Sequence, residues 1–415
     1  MYLSKKMTIE ITDNQSNLIS HMNYAAYKLW NICNYEKHNY KALGLTEFPN
    51  WYYQKKEHKQ NIWFKSLPSQ TAQEVCKELQ QGWTSFFKLK ETGGVEHPNP
   101  PKYKHDNIPI TYMQNGIERV DDITLRLTLS AGLKKHMSAK YGIYDNYLFL
   151  KSDDFKNMGH IKQIKIYPPA DLKIDMIVIY EIKDVDLLPD NGKYLSIDLG
   201  INNPFTCFDS EKGSVFILGK QYKSICQYHN KRIAHYQSIA ASQQAAAGVK
   251  YPKMTKRVQK LYGHRSRQIH DYMHKCTRYV VNYCIEHNIN TVVIGDITGI
   301  REGNNLGDQN NQVFHAFPKA KIVMQLKYKL RMVGINFVEQ KESYSSQCSP
   351  TSAAVSKRYT KKNNRKYRGL YVEGKNIWNA DAVGAYNILR LYYKSTSKAV
   401  DFAPTHLSNP IKVAV

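Results

Sequence analysis

Residues 2–11 alternate apolar and polar positions, the pattern of a strand, and stop at the turn formers Thr12-Asp13-Asn14. From Gln15 to about Gly44 the period changes. Leu18, Ile19, Met22, Ala25, Leu29 and Ile32 recur at helical spacing. A second helix is predicted after Pro68-Ser69, with Ser69 as candidate N-cap. Its stripe of Ala72, Val75, Cys76, Leu79, Trp83, Phe86 and Phe87 reads as core packing. Glycines and prolines make Glu91–Tyr103 a loop, and beyond it the alternation returns. Ile123–Leu129, Tyr147–Leu150, Ile161–Tyr167 and Ile174–Ile182 read as strands. The N-terminal half is therefore expected to be a small β-barrel or sandwich with a helical block inserted. Arg126 projects opposite Leu125 and Leu127, toward either a phosphate or a solvated face. A linker at Leu187-Leu-Pro-Asp-Asn-Gly192 marks the main boundary.

In the second half, Tyr194-Leu-Ser-Ile-Asp-Leu-Gly-Ile-Asn-Asn203 reads as a buried strand ending at or near Asp198. Phe205–Phe208 and Ser214–Leu218 follow as short strands. Residues 220–288 look almost wholly helical and carry many Lys and Arg, with a break near 243–248 between two arms. Then come a strand at Thr291–Asp296, a polar loop at Arg301–Gln312 and a helix at Lys319–Val333. A strand at Ile335–Glu339 and a last helix over roughly Asn379–Leu391 complete the series. The order βββ–α–β–α–β–α is that of an RNase H-type fold. The fold class is α+β and multidomain.

Charge changes the picture next. Over 415 residues the chain carries a formal net charge of +24, an excess that favours polyanions such as nucleic acid or an acidic membrane surface. No run approaches the roughly 18 apolar residues of a membrane span. The N-terminal Met1-Tyr-Leu-Ser-Lys-Lys lacks the apolar core of a signal peptide, so a soluble intracellular protein is expected. Seven cysteines with no C-x-x-C pair fit buried reduced thiols better than a disulfide framework. Tyrosine outnumbers phenylalanine, 31 to 13, and such rings either stack on bases or pack in a half-wet core.

Two acidic residues then stand out. A carboxylate at the end of a buried strand, as at Asp198, is costly unless paired, hydrogen-bonded or holding a metal, although many such residues are plain turn or cap formers. Asp381 opens the last helix, where it could equally serve as an N-terminal charge. The RNase H-type fold performs phosphodiester chemistry with two Mg²⁺ ions about 3.5–4 Å apart, held by carboxylates converging from separate elements. Separately, Lys357-Arg-Tyr-Thr-Lys-Lys-Asn-Asn-Arg-Lys-Tyr-Arg368 holds seven basic residues and no acid. Lys357, Arg358, Lys361, Lys362, Arg365, Lys366 and Arg368, interleaved with Tyr359 and Tyr367, suggest contact with a nucleic-acid backbone, a solvated loop being the alternative.

Four blocks carry a family resemblance. They are Ser196-Ile-Asp-Leu-Gly-Ile-Asn202, Val293-Ile-Gly-Asp-Ile-Thr-Gly-Ile-Arg301, Glu342-Ser-Tyr-Ser-Ser-Gln-Cys348 and Asn379-Ala-Asp-Ala-Val-Gly-Ala-Tyr-Asn-Ile-Leu-Arg390. In this order they resemble the RuvC-type motifs of TnpB, the RNA-guided nuclease of insertion-sequence transposons related to type V CRISPR effectors. Asp271-Tyr-Met-His-Lys275 also fits. The resemblance implies a β-barrel domain from 1–14 and 104–186, a helical recognition domain at 15–103, a linker at 187–192 and a RuvC-like nuclease domain at 193–392. Within the last, 220–288 is a helical insertion and 345–376 a degenerate zinc-ribbon-like loop. Residues 393–415 form a tail.

This sequence departs from the family twice. The second motif usually carries a catalytic glutamate, and here that slot is Gly295, with Asp296 beside it. A subset of relatives supplies the acid from the later strand-end block, which is Glu342 here, so Asp198, Glu342 and Asp381 are the expected ligands of two Mg²⁺ ions. Asp296 is the substitute, disfavoured because the period-two rule turns it away if Gly295 faces the site. The family also commonly has two C-x-x-C pairs before the last motif, where this chain has only Cys348, so no zinc is expected. The resemblance implies an RNA-guided endonuclease of a transposon, cutting DNA beside a short target-adjacent motif. Its partners would be a guide RNA from the transposon end and double-stranded target DNA, in the bacterial cytoplasm at the nucleoid, with no membrane. A cleavage-deficient guided repressor or transposition regulator is the alternative, and a protein-only RNase H-type nuclease or transposase a third.

Overall fold

The computed structural model describes residues 1–93, 95–296, 316–365, 367 and 369–415, with only the backbone of Lys362. Two compact units divide it, Met1–Asp184 and Val185–Val415.

The first unit runs β1 (Tyr2–Glu10), α1 (Asp13–His38), α2 (Trp51–Glu57), α3 (Ile62–Lys65), α4 (Ser69–Thr92), β2 (Ile110–Met113), β3 (Ile117–Arg119), β4 (Thr124–Thr128), α5 (Ala131–Tyr141), β5 (Tyr147–Lys151), β6 (His160–Ile166) and β7 (Lys173–Glu181). Thr12 and Gln15 start α1 with a capping box, each satisfying a free backbone N–H of the other. The helix ends at His38, earlier than the periodicity suggested. Ser69 does not cap α4. Pro68 holds the cap position, and the Ser69 hydroxyl accepts from Gln73 instead.

The expected barrel is not closed. The strands form two antiparallel sheets, ordered β1-β7-β6-β2 and β3-β4-β5, with no ladder between them among the described residues. A 3₁₀ turn at Gln114–Gly116 separates β2 from β3, and β3, three residues long, pairs only with β4 among the described residues. The two sheets and the helices nevertheless share one core, in which Ile164 and Val178, Leu125 and Leu148, and Leu18 and Met22 are all buried. Arg126 sits on the outer face over the Tyr147 ring and in an ion pair with Glu118.

The second unit holds β8 (Tyr194–Asp198), β9 (Phe205–Asp209), β10 (Val215–Leu218), α6 (Gln221–Ala246), α7 (Lys256–Glu286), β11 (Thr291–Asp296), α8 (Lys319–Arg331), β12 (Asn336–Lys341), β13 (Leu370–Glu373), β14 (Asn376–Asn379), α9 (Ala380–Ser395) and β15 (Ile411–Lys412). The Arg301–Gln312 loop lies outside the described residues. The six-stranded sheet is ordered β12-β11-β8-β9-β10-β15. Strands β8, β11 and β12 are parallel, and β9 runs antiparallel between β8 and β10. This mixed sheet fits the RNase H-type order.

Both sheet faces are covered, so the central strands are apolar on both sides. Leu195, Ile197, Val292 and Ile294 pack with α7 and α8, while Tyr194, Phe208 and Val293 pack with α9. The tail is folded back: Phe402 and Leu407 join the α9 core, and β15 pairs with β10 at the sheet edge. All seven cysteines are buried and unbridged.

The segment between β12 and β13 is held by polar side chains of α9. Buried Asn387 donates to the carbonyls of Ser345 and Cys348 at 2.7 and 2.9 Å. Arg390 donates to those of Ser349 and Ser352 and to Asn387 Oδ1. Glu373 accepts from Ser349, Thr351 and Lys361. Removing the Asn387 amide would strand two buried carbonyls. We therefore predict that Asn387→Ala destabilises the protein by about 2–3 kcal/mol. Denaturant unfolding of the native protein and the variant in one buffer measures it, and a loss under about 0.5 kcal/mol would show that the clamp contributes nothing.

Candidate carboxylate site

Strand alternation decides which acids can meet. Along β8, Tyr194, Ser196 and Asp198 share the α9 face, and the Ser196 hydroxyl donates to the Ala385 carbonyl of α9 at 2.7 Å. Along β11, Val293 and Gly295 share that face, whereas Ile294 and Asp296 take the other. Asp296 accordingly meets Lys319 at the start of α8, at 3.2 Å. On β12, Val338 packs toward α9 and Gln340 accepts from Ser395 of α9. Glu342, one residue past the strand end, continues the same face.

Two glycines make room for the carboxylates. A Cβ at residue 295 would collide with Glu342 Oε2 and lie 2.8 Å from Ile388 Cδ1. A Cβ at residue 384 would lie 2.5 Å from Asp198 Oδ2. The Glu342 carboxylate therefore occupies the space into which a side chain at position 295 would grow. Asp198 rests against bare helix backbone on α9.

The site is short of positive charge. Burial pushes Asp198 well above the usual carboxylate range, the charges of Glu342 and Asp381 push the same way, and Arg365 opposes them. Burial lifts Glu342 to about 7, with Lys319 opposing and Asp296 adding to the rise. Glu342 Oε2 is buried and has no hydrogen-bond partner among the described residues. Asp381 is held from outside: Asn203 donates to its Oδ2 at 2.6 Å. The capping of α9 falls to Asn379, whose side chain accepts from the backbone of Asp381 and Ala382. Asp381 is thus not needed as the cap. Asn203 lies one residue past the first motif block, but its part in orienting Asp381 was not legible there, because 178 residues separate the pair.

Among the described residues no three His, Cys, Asp or Glu side chains are gathered into a ready-made metal cage. The donor chemistry nonetheless fits a hard divalent cation. It offers half-buried carboxylates, one buried oxygen with no partner among the described residues, and two acids whose charged forms burial disfavours.

The basic run is only partly brought to this site. Lys357 and Arg358 lie in a short 3₁₀ turn, and Arg358 stacks over its neighbour Tyr359. Lys361 is paired with Glu373 at 2.6 Å. Arg365 is exposed, and its charge reaches Asp198. Lys366, Arg368 and the Lys362 side chain lie outside the described residues.

Residues 177–301 match the family model OrfB_IS605, described as a probable transposase. Residues 320–388 match the TNB domain of Cas12f1-like proteins. No curated protein sequence matches the chain. Among solved structures it is similar to a Cas12f1–sgRNA–target DNA complex at 12% identity, covering 91% of this chain and 83% of that one, with a TM-score of 0.57. A CRISPR-Cas12f ternary complex is similar at 12% identity, covering 90% and 81%, with a TM-score of 0.37. C2c1 of Alicyclobacillus acidoterrestris in complex with single-guide RNA is similar at 9% identity, covering 91% and 68%, with a TM-score of 0.41. Only the first of these bears on the fold. Its motif blocks resemble those of TnpB, and by the two family models the chain is similar to the OrfB_IS605 probable transposases over 177–301 and to the Cas12f1-like proteins over 320–388.

Proposed function

We propose that the chain is an RNA-guided DNA endonuclease of a transposon, and that Asp198, Glu342 and Asp381 hold Mg²⁺ for phosphodiester hydrolysis. One observation carries this reading. The Glu342 carboxylate fills the space that Gly295 leaves empty, on the same sheet face as Asp198, with one oxygen that has no partner among the described residues. A protein that only binds DNA has no physical need for half-buried acids whose charges add to burial in raising the pKa of Asp198. The Gly295 slot is what favours the alternative, a cleavage-deficient regulator, and Glu342 removes much of its force.

Bound there, two Mg²⁺ ions would supply an activated water and stabilise the leaving oxygen. The chain's own residues do the positioning. Asn203 fixes the rotamer of Asp381. Gly295 and Gly384 let two carboxylates approach the backbone. Lys319 keeps Asp296 on the opposite face. Arg365 brings a cation beside the acids, where the charged backbone of a strand would lie. Guide RNA and target DNA are the partners of the similar Cas12f1 complex, and the +24 charge supports the same partners here.

Glu342→Gln, Asp198→Asn and Asp381→Asn are each expected to lower Mg²⁺-dependent cleavage by at least about a hundredfold while guide and target binding persist. Asp296→Asn should cost less than about tenfold. Cleavage and binding measured on the same preparations decide between them. A dead Asp296→Asn beside an active Glu342→Gln would overturn the ligand assignment.

The glycine makes a sharper prediction. Gly295→Ala should disable cleavage by displacing Glu342, although alanine suits a strand better than glycine does. Gly295→Glu combined with Glu342→Ala should recover part of the rate, because the acid is then supplied from β11. Cleavage by Gly295→Ala at the native rate would show that the close approach is not needed.

Within the basic run, Arg365→Gln should slow cleavage more than Lys361→Gln, whose ammonium is already paired with Glu373. Single-turnover rates at saturating nucleic acid test this, and equal rates for the two variants would count against a role for Arg365 at the site.

A further inference from the structure

The second unit carries a second, cationic cavity that none of the carboxylate chemistry uses. It has a volume of about 560 Å³ and is lined by His274, Lys275, Arg278, Tyr279 and Asn282 of α7 and by Tyr328 and Lys329 of α8, with Ala414 and Val415 at its rim. Lys329 is its core. Only 3% of the residue is exposed, and its Nζ donates to the His274 carbonyl at 2.9 Å and to Thr277 Oγ1 at 2.7 Å. Both partners are neutral. Among the described residues no carboxylate forms an ion pair with Lys329, and the charge that acts on it most strongly is that of Arg278, which is also positive.

A buried ammonium is normally compensated by an anion, because desolvation is not repaid by neutral acceptors alone. Here burial, reinforced by Arg278, lowers Lys329 to about 8. Asp271, on the same helix but not in the lining, is exposed and paired with Lys275 at 2.9 Å. An ammonium, a guanidinium, a second lysine and an Asn282 amide thus converge on one cavity, and among the described residues no side-chain carboxylate lines it. We propose that this cavity between α7 and α8 is a binding site for a phosphate group, with Lys329 and Arg278 as its principal donors.

The cavity is separate from the carboxylates. Helix α8 begins at Lys319, which holds Asp296, and Lys329 comes ten residues later, roughly 15 Å along the helix axis. The proposal goes beyond the nuclease reading and does not depend on it. The phosphate could belong to a nucleic-acid strand crossing the helices or to a free phosphate ion, and one experiment has an arm for each.

The full-length protein is titrated calorimetrically with sodium phosphate against sodium chloride of equal ionic strength, and separately with a short single-stranded oligodeoxynucleotide over a salt series. Neither arm requires cleavage, so an inactive enzyme would still give an answer. Arg278→Gln and Lys329→Met are compared with Lys250→Gln, which removes the same charge at the α6–α7 turn. Arg278 is exposed, so its variant keeps the test valid if Lys329→Met fails to fold. Phosphate affinity is expected to fall at least about fivefold in the cavity variants and to stay at the native value in Lys250→Gln. If the phosphate comes from a strand, oligonucleotide affinity falls too, and the salt slope drops by about 1 for each phosphate no longer neutralised. If only the inorganic-phosphate arm responds, the site takes the free ion. Equal changes in all three variants, or no change in any, would mean that Lys329 merely ties α8 to α7, and the proposal would be overturned.

Discussion

The candidate site rests on a constraint of volume. Between β11, the end of β12 and α9 there is room for one carboxylate, and Glu342 takes it because residue 295 has no side chain. Any Cβ at 295 would have to displace that carboxylate or the Ile388 methyl beside it, and Ile388 is fully buried in the α9 core. The glycine and the glutamate are therefore one feature written at two places in the chain. Glycine in the middle of a buried strand is otherwise unfavourable, by about 0.5–1 kcal/mol relative to alanine. That loss is small beside the energetic consequence of a misplaced buried charge.

Helix α9 does more than cover the sheet. Its apolar face packs on Tyr194, Phe208 and Val293, its first turn brings Asp381, Gly384 lets Asp198 approach, and Asn387 and Arg390 hold the segment after β12. The last motif block is thus partly chemical and partly structural. Its polar residues separate cleanly by position: Asp381 lies at the helix start near the other acids, while Asn387 and Arg390 lie two turns on and serve backbone carbonyls.

Much of this was legible in the sequence, because the signals are periodic. The strands of the second unit showed as apolar runs, and their order suggested the fold. The period-two rule placed Gly295 and Asp296 on opposite faces from spacing alone. Other features left no such trace. The two sheets of the first unit look alike in sequence whether or not a ladder joins them, so the expected barrel could not be told from two sheets over a shared core. Helix α5 buries only Leu133 and Met137, too few for its periodicity to register. The contact of Asn203 with Asp381, and the buried Lys329 between α7 and α8, depend on tertiary packing that no local window contains.

In the proposed site the acid comes from a strand end rather than a central strand, which changes what must be kept rigid. A glutamate at position 295 of β11 would be fixed by the ladder to β12, one residue beyond the last pair with β8. Glu342 lies beyond the last ladder pair of β12 and opens a turn instead. That turn is closed by the Ser345 N–H to the Glu342 carbonyl at 3.0 Å, and Tyr344 within it adopts a left-handed backbone with φ of 68°. A bulky residue in that region costs on the order of 1–3 kcal/mol and persists only where its surroundings impose it. The surroundings here are the Cys348 N–H bonded to the Tyr344 carbonyl and the Asn387 amide bonded to Ser345 and Cys348. The precision that a central strand would give to its side chain is supplied to Glu342 by this clamped turn. The turn is tied in turn to the helix that carries Asp381, so two of the three acids are registered against one another through α9 rather than through the sheet.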